Sequence, residues 1–194
     1  GWLKIEGGQI DANAVTWTKQ DVQKVYDGKP LSAFAARATD KHGNELNIEY
    51  SIDGETWTFD PAEISLTHFG SQKVLLRATG SNYAAGQYAT SSENIMINKR
   101  PVTLTSASAN KVYDGKPLTK PGVTVGGDGF VEGEVSGLKA IGTVTNVADG
   151  EVDNEIVWDW AEGFGEGNYD ITKTEGKLSI EPQSVDPRSE EHTS

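Results

Sequence analysis

The chain of 194 residues contains no cysteine, one methionine and three histidines. The lack of cysteine excludes disulfide bonds and metal sites built on thiolates. No run of about 18 apolar residues occurs, so the sequence holds no candidate membrane-spanning helix. Ahead of the C-terminal tail only His42 and His68 remain, and neither has the spacing of a metal site or a catalytic triad. We therefore expect a protein that is not an enzyme.

Positive charge is scarce in the second half of the chain. The net charge is −12, and between Pro121 and Thr172 eleven acidic residues face Lys139 alone. Such a field repels phosphate backbones, which excludes nucleic acid as an expected partner. It is compatible with solubility and with weak binding of divalent cations.

Helical periodicity is also scarce. No stretch keeps a period of 3.6 residues with capping residues, and the best short helix candidate is the alanine-rich run Ser32–Thr39. Glycine, in contrast, is abundant at 22 residues, as turn-rich β proteins require. We predict a mainly β chain with at most one short helix in each unit.

The octapeptide KVYDGKPL occurs twice, at Lys24–Leu31 and at Lys111–Leu118. The offset of 87 residues continues upstream, where Val15–Thr18 faces Val102–Thr105. A period of this length is too long for a solenoid repeat and fits a small domain that folds by itself. The chain is therefore predicted to be a tandem array of two strand-rich domains.

The predicted boundaries follow from this repeat. Residues 15–100 form repeat domain 1 and residues 101–183 form repeat domain 2, with a short, rigid joint at Asn98–Val102. Residues 1–14 are interpreted as a linker or the tail of an upstream unit, and residues 184–194 as a tail. Within that tail, residues 188–194 read RSEEHTS, which is the in-frame translation of a common sequencing adapter. We interpret these seven residues as an artefact with no functional role.

Two β-hairpins are predicted from alternating apolar residues around turn dipeptides. Leu46–Ile52 and Trp57–Phe59 alternate on either side of Asp53-Gly54, and Trp57 and Phe59 are interpreted as core residues. Ile171–Ile180, with Glu175-Gly176 between its halves, is predicted to form a closing hairpin.

These segments resemble the YDG and mostly-beta-grasp (MBG) repeats. The resemblance is carried by the two octapeptides, by Tyr50–Gly54, and by an ending similar to "NY-x-I … G-x-L-x-I" at residues 168–180, and it covers Val15 to Pro182. It implies β-grasp-like domains in tandem on bacterial cell-wall surface or secreted proteins, serving as stalk or adhesin repeats. It implies no catalytic residue. An immunoglobulin-like β-sandwich is the alternative fold.

The octapeptides contain the first group of candidate functional residues. Tyr26 and Tyr113 could contact a ligand, but a structural role is the favoured interpretation. In that interpretation each tyrosine packs beside a tight turn, and the following aspartate accepts hydrogen bonds from local amides. The structural motif is Tyr26, Asp27 and Gly28 in the first copy, and Tyr113, Asp114 and Gly115 in the second.

The second group lies in repeat domain 2. Trp158 and Trp160 share one face of a predicted strand and, with Phe164, could form a platform for sugar rings, although packing is the favoured interpretation. Asp149, Glu151, Asp153 and Glu155 alternate in a way that Ca²⁺ accepts, but they lack the glycine and spacing of an EF-hand loop. A solvated acidic loop is therefore favoured, and calcium is the one cofactor to consider.

Two functional hypotheses remain. The first is a spacer or adhesin repeat whose partners are neighbouring repeats of the same chain. The second is a module that binds a surface glycan or a host protein through the face of Trp158 and Trp160, with or without calcium.

Overall fold

The computed structural model describes residues 7–19, 22–33 and 35–185. Residues 1–6 and the predicted artefact at 188–194 lie outside this part. Within it, strands dominate, and the helical segments are four 3-10 helices: Ala12–Ala14, Pro61–Glu63, Val147–Asp149 and Glu166–Asn168. The predicted mainly β fold is confirmed.

The chain divides between Lys99 and Arg100 into two compact units, called unit 1 and unit 2 below. The strands of unit 1 are β1 (Thr16–Thr18), β2 (Val22–Val25), β3 (Leu31–Ser32), β4 (Arg37–Thr39), β5 (Asn47–Ser51), β6 (Ser65–Leu66), β7 (Gly70–Thr79) and β8 (Ala89–Asn98).

Unit 1 is organised around a four-stranded sheet in the order β2-β8-β7-β5. β2 runs parallel to β8, whereas β7 pairs antiparallel with both β8 and β5. Two smaller antiparallel pairs, β1–β4 and β3–β6, accompany it. Buried side chains alternate with less buried ones from Val74 to Ala78 in β7 and from Ile95 to Ile97 in β8, because successive residues of a strand face opposite sides. The buried cluster consists of Val22, Ala33, Tyr50, Ile64, Val74, Leu76 and Ile95.

The part of unit 2 that the structure describes, residues 100–185, contains ten strands. They are β9 (Arg100–Ser106), β10 (Ala109–Val112), β11 (Leu118–Thr119), β12 (Val123–Gly127), β13 (Val135–Ala140), β14 (Thr143–Val144), β15 (Val152–Asn154), β16 (Ile156–Trp160), β17 (Tyr169–Thr174) and β18 (Gly176–Glu181).

Two three-stranded sheets form the centre of unit 2, in the orders β12-β9-β17 and β10-β18-β15. β9 runs parallel to β17 and β10 runs parallel to β18. Antiparallel pairs β13–β16 and β11–β14 complete the unit. One buried apolar cluster consists of Leu118, Val144, Leu178 and Ile180.

Equivalent strands of the two units follow the sequence repeat. β2 and β3 recur as β10 and β11 at an offset of 87 residues. The pair Thr16↔Thr39 recurs at the same offset as Thr103↔Gly126. The closing strand is displaced by 83 residues, so that Lys24↔Ile97 becomes Lys111↔Ile180. Both repeats therefore place the octapeptide beside the last strand of their own unit.

The helix predicted at Ser32–Thr39 is wrong. The described residues of this run end strand β3 and form strand β4, and both strands pair antiparallel with distant partners. An uncapped helix of two turns is marginal in water, so the ladder hydrogen bonds of the strands outweigh the helix propensity of its alanines.

The hairpin predicted around Asp53-Gly54 is confirmed only as one antiparallel bridge, and the hairpin predicted at Ile171–Ile180 is wrong. After the Asp53-Gly54 turn the chain makes a single bridge, Tyr50↔Thr58, and β5 pairs with β7 instead. Phe59 is 68% exposed, so it is not a core residue.

The dipeptide Glu175-Gly176 does not turn the chain back on itself, because β17 and β18 pair with different strands. A Cβ on Gly176 would lie 2.3 Å from the backbone carbon of Ala107. Glycine is therefore required at this position for close packing of the backbones, and its presence does not indicate a hairpin turn.

Candidate functional site

The first octapeptide forms a closed set of hydrogen bonds around one lysine, called the lysine clamp. Lys24 Nζ lies 2.5 Å from Asp27 Oδ1 and 2.5 Å from the carbonyl oxygen of Lys29. The backbone N–H of Lys29 donates to the same Asp27 oxygen at 3.0 Å. Gly28 has a φ of 76°, a value that glycine adopts without strain. The lysine thereby lowers the pKa of the Asp27 carboxyl.

The second octapeptide repeats this geometry. Lys111 Nζ lies 2.6 Å from Asp114 Oδ1 and 2.6 Å from the carbonyl oxygen of Lys116, whose N–H donates to Asp114 at 3.0 Å. The φ of Gly115 is 74°. The pKa of Asp114 is lowered for the same reason, the hydrogen bond from Lys111. The two copies thus agree to 0.1 Å in these three contacts.

The two octapeptide tyrosines differ in exposure although their backbones match. The N–H of Tyr26 donates to Asn98 and that of Tyr113 donates to Glu181, each to the carbonyl oxygen at 2.9 Å. The Tyr26 ring is buried, with 1% exposed, and lies 6.4 Å from the His68 ring. Tyr113 is 39% exposed. The shared features of the motif are therefore the backbone pairing and the clamp.

Trp158 and Trp160 project from one face of β16 into an aromatic cluster. Their ring centroids lie 6.3 Å apart, and Phe130 lies 6.0 Å from Trp158 and 5.7 Å from Trp160. The buried Tyr169 ring completes the cluster at 5.3 Å from Phe130 and 5.4 Å from Trp160. Phe130 and Tyr169 are members that the sequence reasoning missed.

The aromatic cluster contains two of the three residues of the predicted sugar platform, Trp158 and Trp160. Both tryptophans are half-buried, whereas Phe164, the third predicted member, is 43% exposed. Within the described residues, the ring pairs of the cluster do not include Phe164. The Nε1 atom of Trp158 is buried and has no hydrogen-bond partner among the described residues.

A buried carboxylate accepts a hydrogen bond from a tyrosine in each unit. The hydroxyl of Tyr169 donates to Glu134 at 2.6 Å, and the hydroxyl of Tyr83 donates to Asp40 at 2.8 Å. Hydrogen bonds from the Asn44 side chain, from backbone amides and from Tyr83 lower the pKa of Asp40. The only sequence signal for these pairs was the recurrence of Asn-Tyr at positions 82–83 and 168–169.

The four acidic residues predicted as calcium ligands lie in different environments. Asp149 accepts hydrogen bonds from the N–H groups of Asn146 and Thr145, which lower its pKa. Asp153 forms an ion pair with Lys177. Glu151 and Glu155 flank β15 and are exposed. Across residues 7–19, 22–33 and 35–185, no three acidic or histidine side chains gather in a way that could hold a metal ion.

An unpredicted stack of side chains covers the outer face of the unit 1 sheet. The guanidinium carbon of Arg77 lies 4.2 Å from the Trp57 ring centroid and 4.5 Å from that of Tyr88. Arg77 also makes two hydrogen bonds to Glu49, at 2.7 and 3.1 Å, which raise the pKa of the arginine. Trp57 is therefore half-buried against a cation, on the face opposite to the core.

Two comparisons with known proteins found no match. No protein-family model matches the chain. No curated protein resembles it closely enough to count as a match. The part of the chain that the structure describes contains no helix of sufficient length and apolar character to span a membrane.

Proposed function

We propose that this chain is a non-catalytic tandem-repeat segment of a bacterial cell-surface or secreted protein, and that its units act as spacer or adhesin repeats. The observation that carries the proposal is the lysine clamp, which is built twice with the same contacts. A motif kept in both copies for a local backbone turn serves the folding of each copy. The burial of Tyr26 supports the same conclusion, because a buried ring offers no contact to a ligand.

The proposal includes membership of the YDG or MBG repeats and a β-grasp-like fold. Its support is the order of the matching segments in the sequence together with the strand-rich architecture of both units. Neighbouring repeats of the same chain would then be its first partners, on the outside of the cell. No catalytic role is proposed for any residue.

The spacer role can be tested by NMR relaxation of the backbone amides. A spacer transmits length only if its joint at residues 98–102 is stiff, so both units should share one rotational correlation time. A variant with a Gly-Ser insertion after Lys99 supplies the reference for independent tumbling. Two separate correlation times in the unmodified chain would contradict the spacer role.

A second candidate function is binding of a glycan or host protein at the aromatic cluster. The specific observation in its favour is Trp158, whose buried Nε1–H has no acceptor within the described part of the chain while its ring stays half-buried. A buried donor without a partner costs about 1–3 kcal/mol, which a ligand acceptor could recover after a small rotation of the ring.

Tryptophan fluorescence titrated with bacterial surface polysaccharides separates the two functions. Binding predicts a saturable change that disappears in Trp158→Phe, which keeps an aromatic ring and removes the N–H. Repeating the titration with calcium and with a chelator tests the assistance by calcium. A spacer predicts no saturable change in any of these titrations.

A further inference from the structure

The two ends of unit 2 run side by side in the same direction. Arg100 pairs with Tyr169 in the β9–β17 ladder, and Val112 pairs with Glu181 in the β10–β18 ladder. Both ladders have the same offset of 69 residues. Residues 100–112 therefore follow residues 169–181 in one parallel register, although the pairing passes from one sheet to the other.

Side-chain hydrogen bonds bridge the step between the two sheets. Ser106 Oγ accepts from the N–H of Gly176 at 3.0 Å, and Ser108 Oγ accepts from the N–H of Lys177 at 2.9 Å. Beyond the second ladder, the N–H of Tyr113 donates to the carbonyl oxygen of Glu181 at 2.9 Å. The coupling between the first and last strands is thus continuous from one end of the register to the other.

Part of the register is also shielded from water. Val102 and Leu104 of β9 and Leu178 of β18 are 0% exposed. Water that reaches a strained hydrogen bond can replace it, so burial of the flanking side chains slows the breaking of a ladder.

The direction of the strands decides how tension acts on them. Pulling on the two ends of unit 2 drags β9 and β17–β18 in opposite senses along their own axes, so the paired hydrogen bonds are loaded together. Pulling on two points at the same end of a ladder opens it one pair at a time. Each hydrogen bond contributes only about 1 kcal/mol, so a ladder resists a high force only when its hydrogen bonds must break together. The force at which a protein unfolds depends on its unfolding rate, and the energy barrier to breaking the loaded hydrogen bonds sets that rate.

We propose that the paired terminal strands of unit 2 form a shear clamp that resists tension along the chain, and that unit 1 contains a shorter version. The unit 2 register contains six pairs in one ladder and four in the other. In unit 1, β2 and β8 form four parallel pairs, from Val22↔Ile95 to Val25↔Asn98. The physiological use of the clamp rests on the spacer role proposed above, whereas the mechanical property rests on the strand geometry alone.

Single-molecule force spectroscopy can test the clamp with two pulling directions on the same fold. Because the chain has no cysteine, a pair of introduced cysteines gives unique attachment points. Lys99→Cys with Gln183→Cys loads unit 2 in shear. Lys116→Cys with Gln183→Cys loads the β10–β18 ladder from one end. All three positions are exposed, and equal melting temperatures of the two double variants will show that both are folded.

The clamp predicts an unfolding force several-fold higher in the shear direction than in the peeling direction. Equal forces in the two directions would overturn it. A third pair, Asn13→Cys with Lys99→Cys, loads unit 1 and should unfold at lower force than unit 2. A unit 1 force equal to or above that of unit 2 would overturn the dependence on ladder length.

The relaxation experiment and the force experiment test different proposals, so one proposal can be refuted without the other. Units that tumble independently would remove the spacer role and leave the force difference intact. Equal forces would remove the clamp and leave the shared correlation time intact.

Discussion

In unit 1 the strand that lies beside the closing strand carries a buried valine, whereas the equivalent position of unit 2 carries a buried amide. Val74 pairs with Glu93 in the β7–β8 ladder, and Asn154 pairs with Gly176 in the β15–β18 ladder. Glu93 and Gly176 are equivalent, because the last strands of the two units, β8 and β18, are offset by 83 residues. Val74 is 2% exposed and Asn154 is 0% exposed. The same place in the repeat is therefore filled by different chemistry.

The amide of Asn154 organises the backbone around it. Its Nδ2 donates to the carbonyl oxygens of Ala107 and Lys120 at 3.0 and 2.9 Å, and its Oδ1 accepts from the N–H of Gly142 at 3.1 Å. Ser106 Oγ donates to the backbone oxygen of Asn154 at 2.6 Å. A polar centre of this kind depends on every partner, whereas an apolar centre depends on volume.

Replacing the amide should produce the largest effect. Asn154→Val leaves two carbonyls and one N–H without their partner, which should destabilise unit 2 by about 3 kcal/mol or more. Val74→Ala, the matched change in unit 1, removes only methyl groups and should cost about 1–2 kcal/mol. Hydrogen exchange followed by mass spectrometry assigns each loss to its unit. Equal losses in the two units would contradict the contrast between a polar and an apolar centre.

The stack of Arg77 on Trp57 and Tyr88, on the outer face of the unit 1 sheet, provides the next test. Arg77→Lys keeps the charge but loses the planar contact with Trp57 and Tyr88 and the paired hydrogen bonds to Glu49, and it should cost about 1–2 kcal/mol in unit 1. Lys73→Arg, at an exposed position of the same strand, serves as the control and should leave the melting temperature unchanged. An unchanged melting temperature for Arg77→Lys would show that the stack is not stabilising.

Acid should affect unit 1 before unit 2. Backbone N–H groups of Thr56 and Glu55 lower the pKa of Asp53 to about 2, and the pKa of Asp40 is also lowered. Because these folded-state pKa values lie below the unfolded value of about 3.9, the stabilisation is complete above that pH and is lost as the pH falls toward 2.

Hydrogen exchange measured between about pH 5 and pH 2.5 should therefore show unit 1 opening first, because its buried Asp40 binds a proton more readily in the unfolded chain than in the folded unit. The control is Asp40→Asn, which removes that titration and should flatten the pH dependence of unit 1. Earlier opening of unit 2 would contradict the prediction.

The lysine clamps should give the smallest effect, and an equal one in both units. Asp27→Asn and Asp114→Asn each remove an ion pair that is partly open to solvent, with 43% and 51% of the two aspartate side chains exposed. Such pairs contribute little, so each variant should lower the melting temperature of its unit by at most a few degrees. A clearly larger loss in one unit would show that the copies are not equivalent.

Part of this fold was predictable from the sequence, because some patterns act over short distances. The β-branched and apolar segments Val15–Thr18, Val74–Leu76 and Ile95–Ile97 are typical of strands, and strands β1, β7 and β8 contain most of these residues. Alternating β-branched and apolar residues adopt extended backbone whatever their partner is. The Asp53-Gly54 turn was also expected from local sequence, and Asp53 accepts hydrogen bonds from the N–H groups of Glu55 and Thr56.

Strand partners were not predictable in the same way. A D-G or E-G dipeptide between alternating segments indicates where a chain can turn, but the strand pairing is decided by which distant strand buries more surface. The first predicted hairpin is therefore reduced to a single bridge, and the second does not form because its two strands pair with different partners. The aromatic cluster was half predicted for a similar reason. Trp158 and Trp160 are neighbours along one strand, whereas Phe130 and Tyr169 reach them only through tertiary packing.

The amino-acid sequence by itself determined the local chemistry of the repeat. Lysine, aspartate, glycine and proline at fixed spacing within eight residues are sufficient to specify the same turn twice, since the hydrogen bonds of the lysine in the clamp join residues at most six positions apart. Only the tertiary structure decided that each octapeptide begins in a strand that runs parallel to one about 70 residues further along the chain. That choice depends on the total surface buried by the assembled sheets, a quantity that no short segment contains.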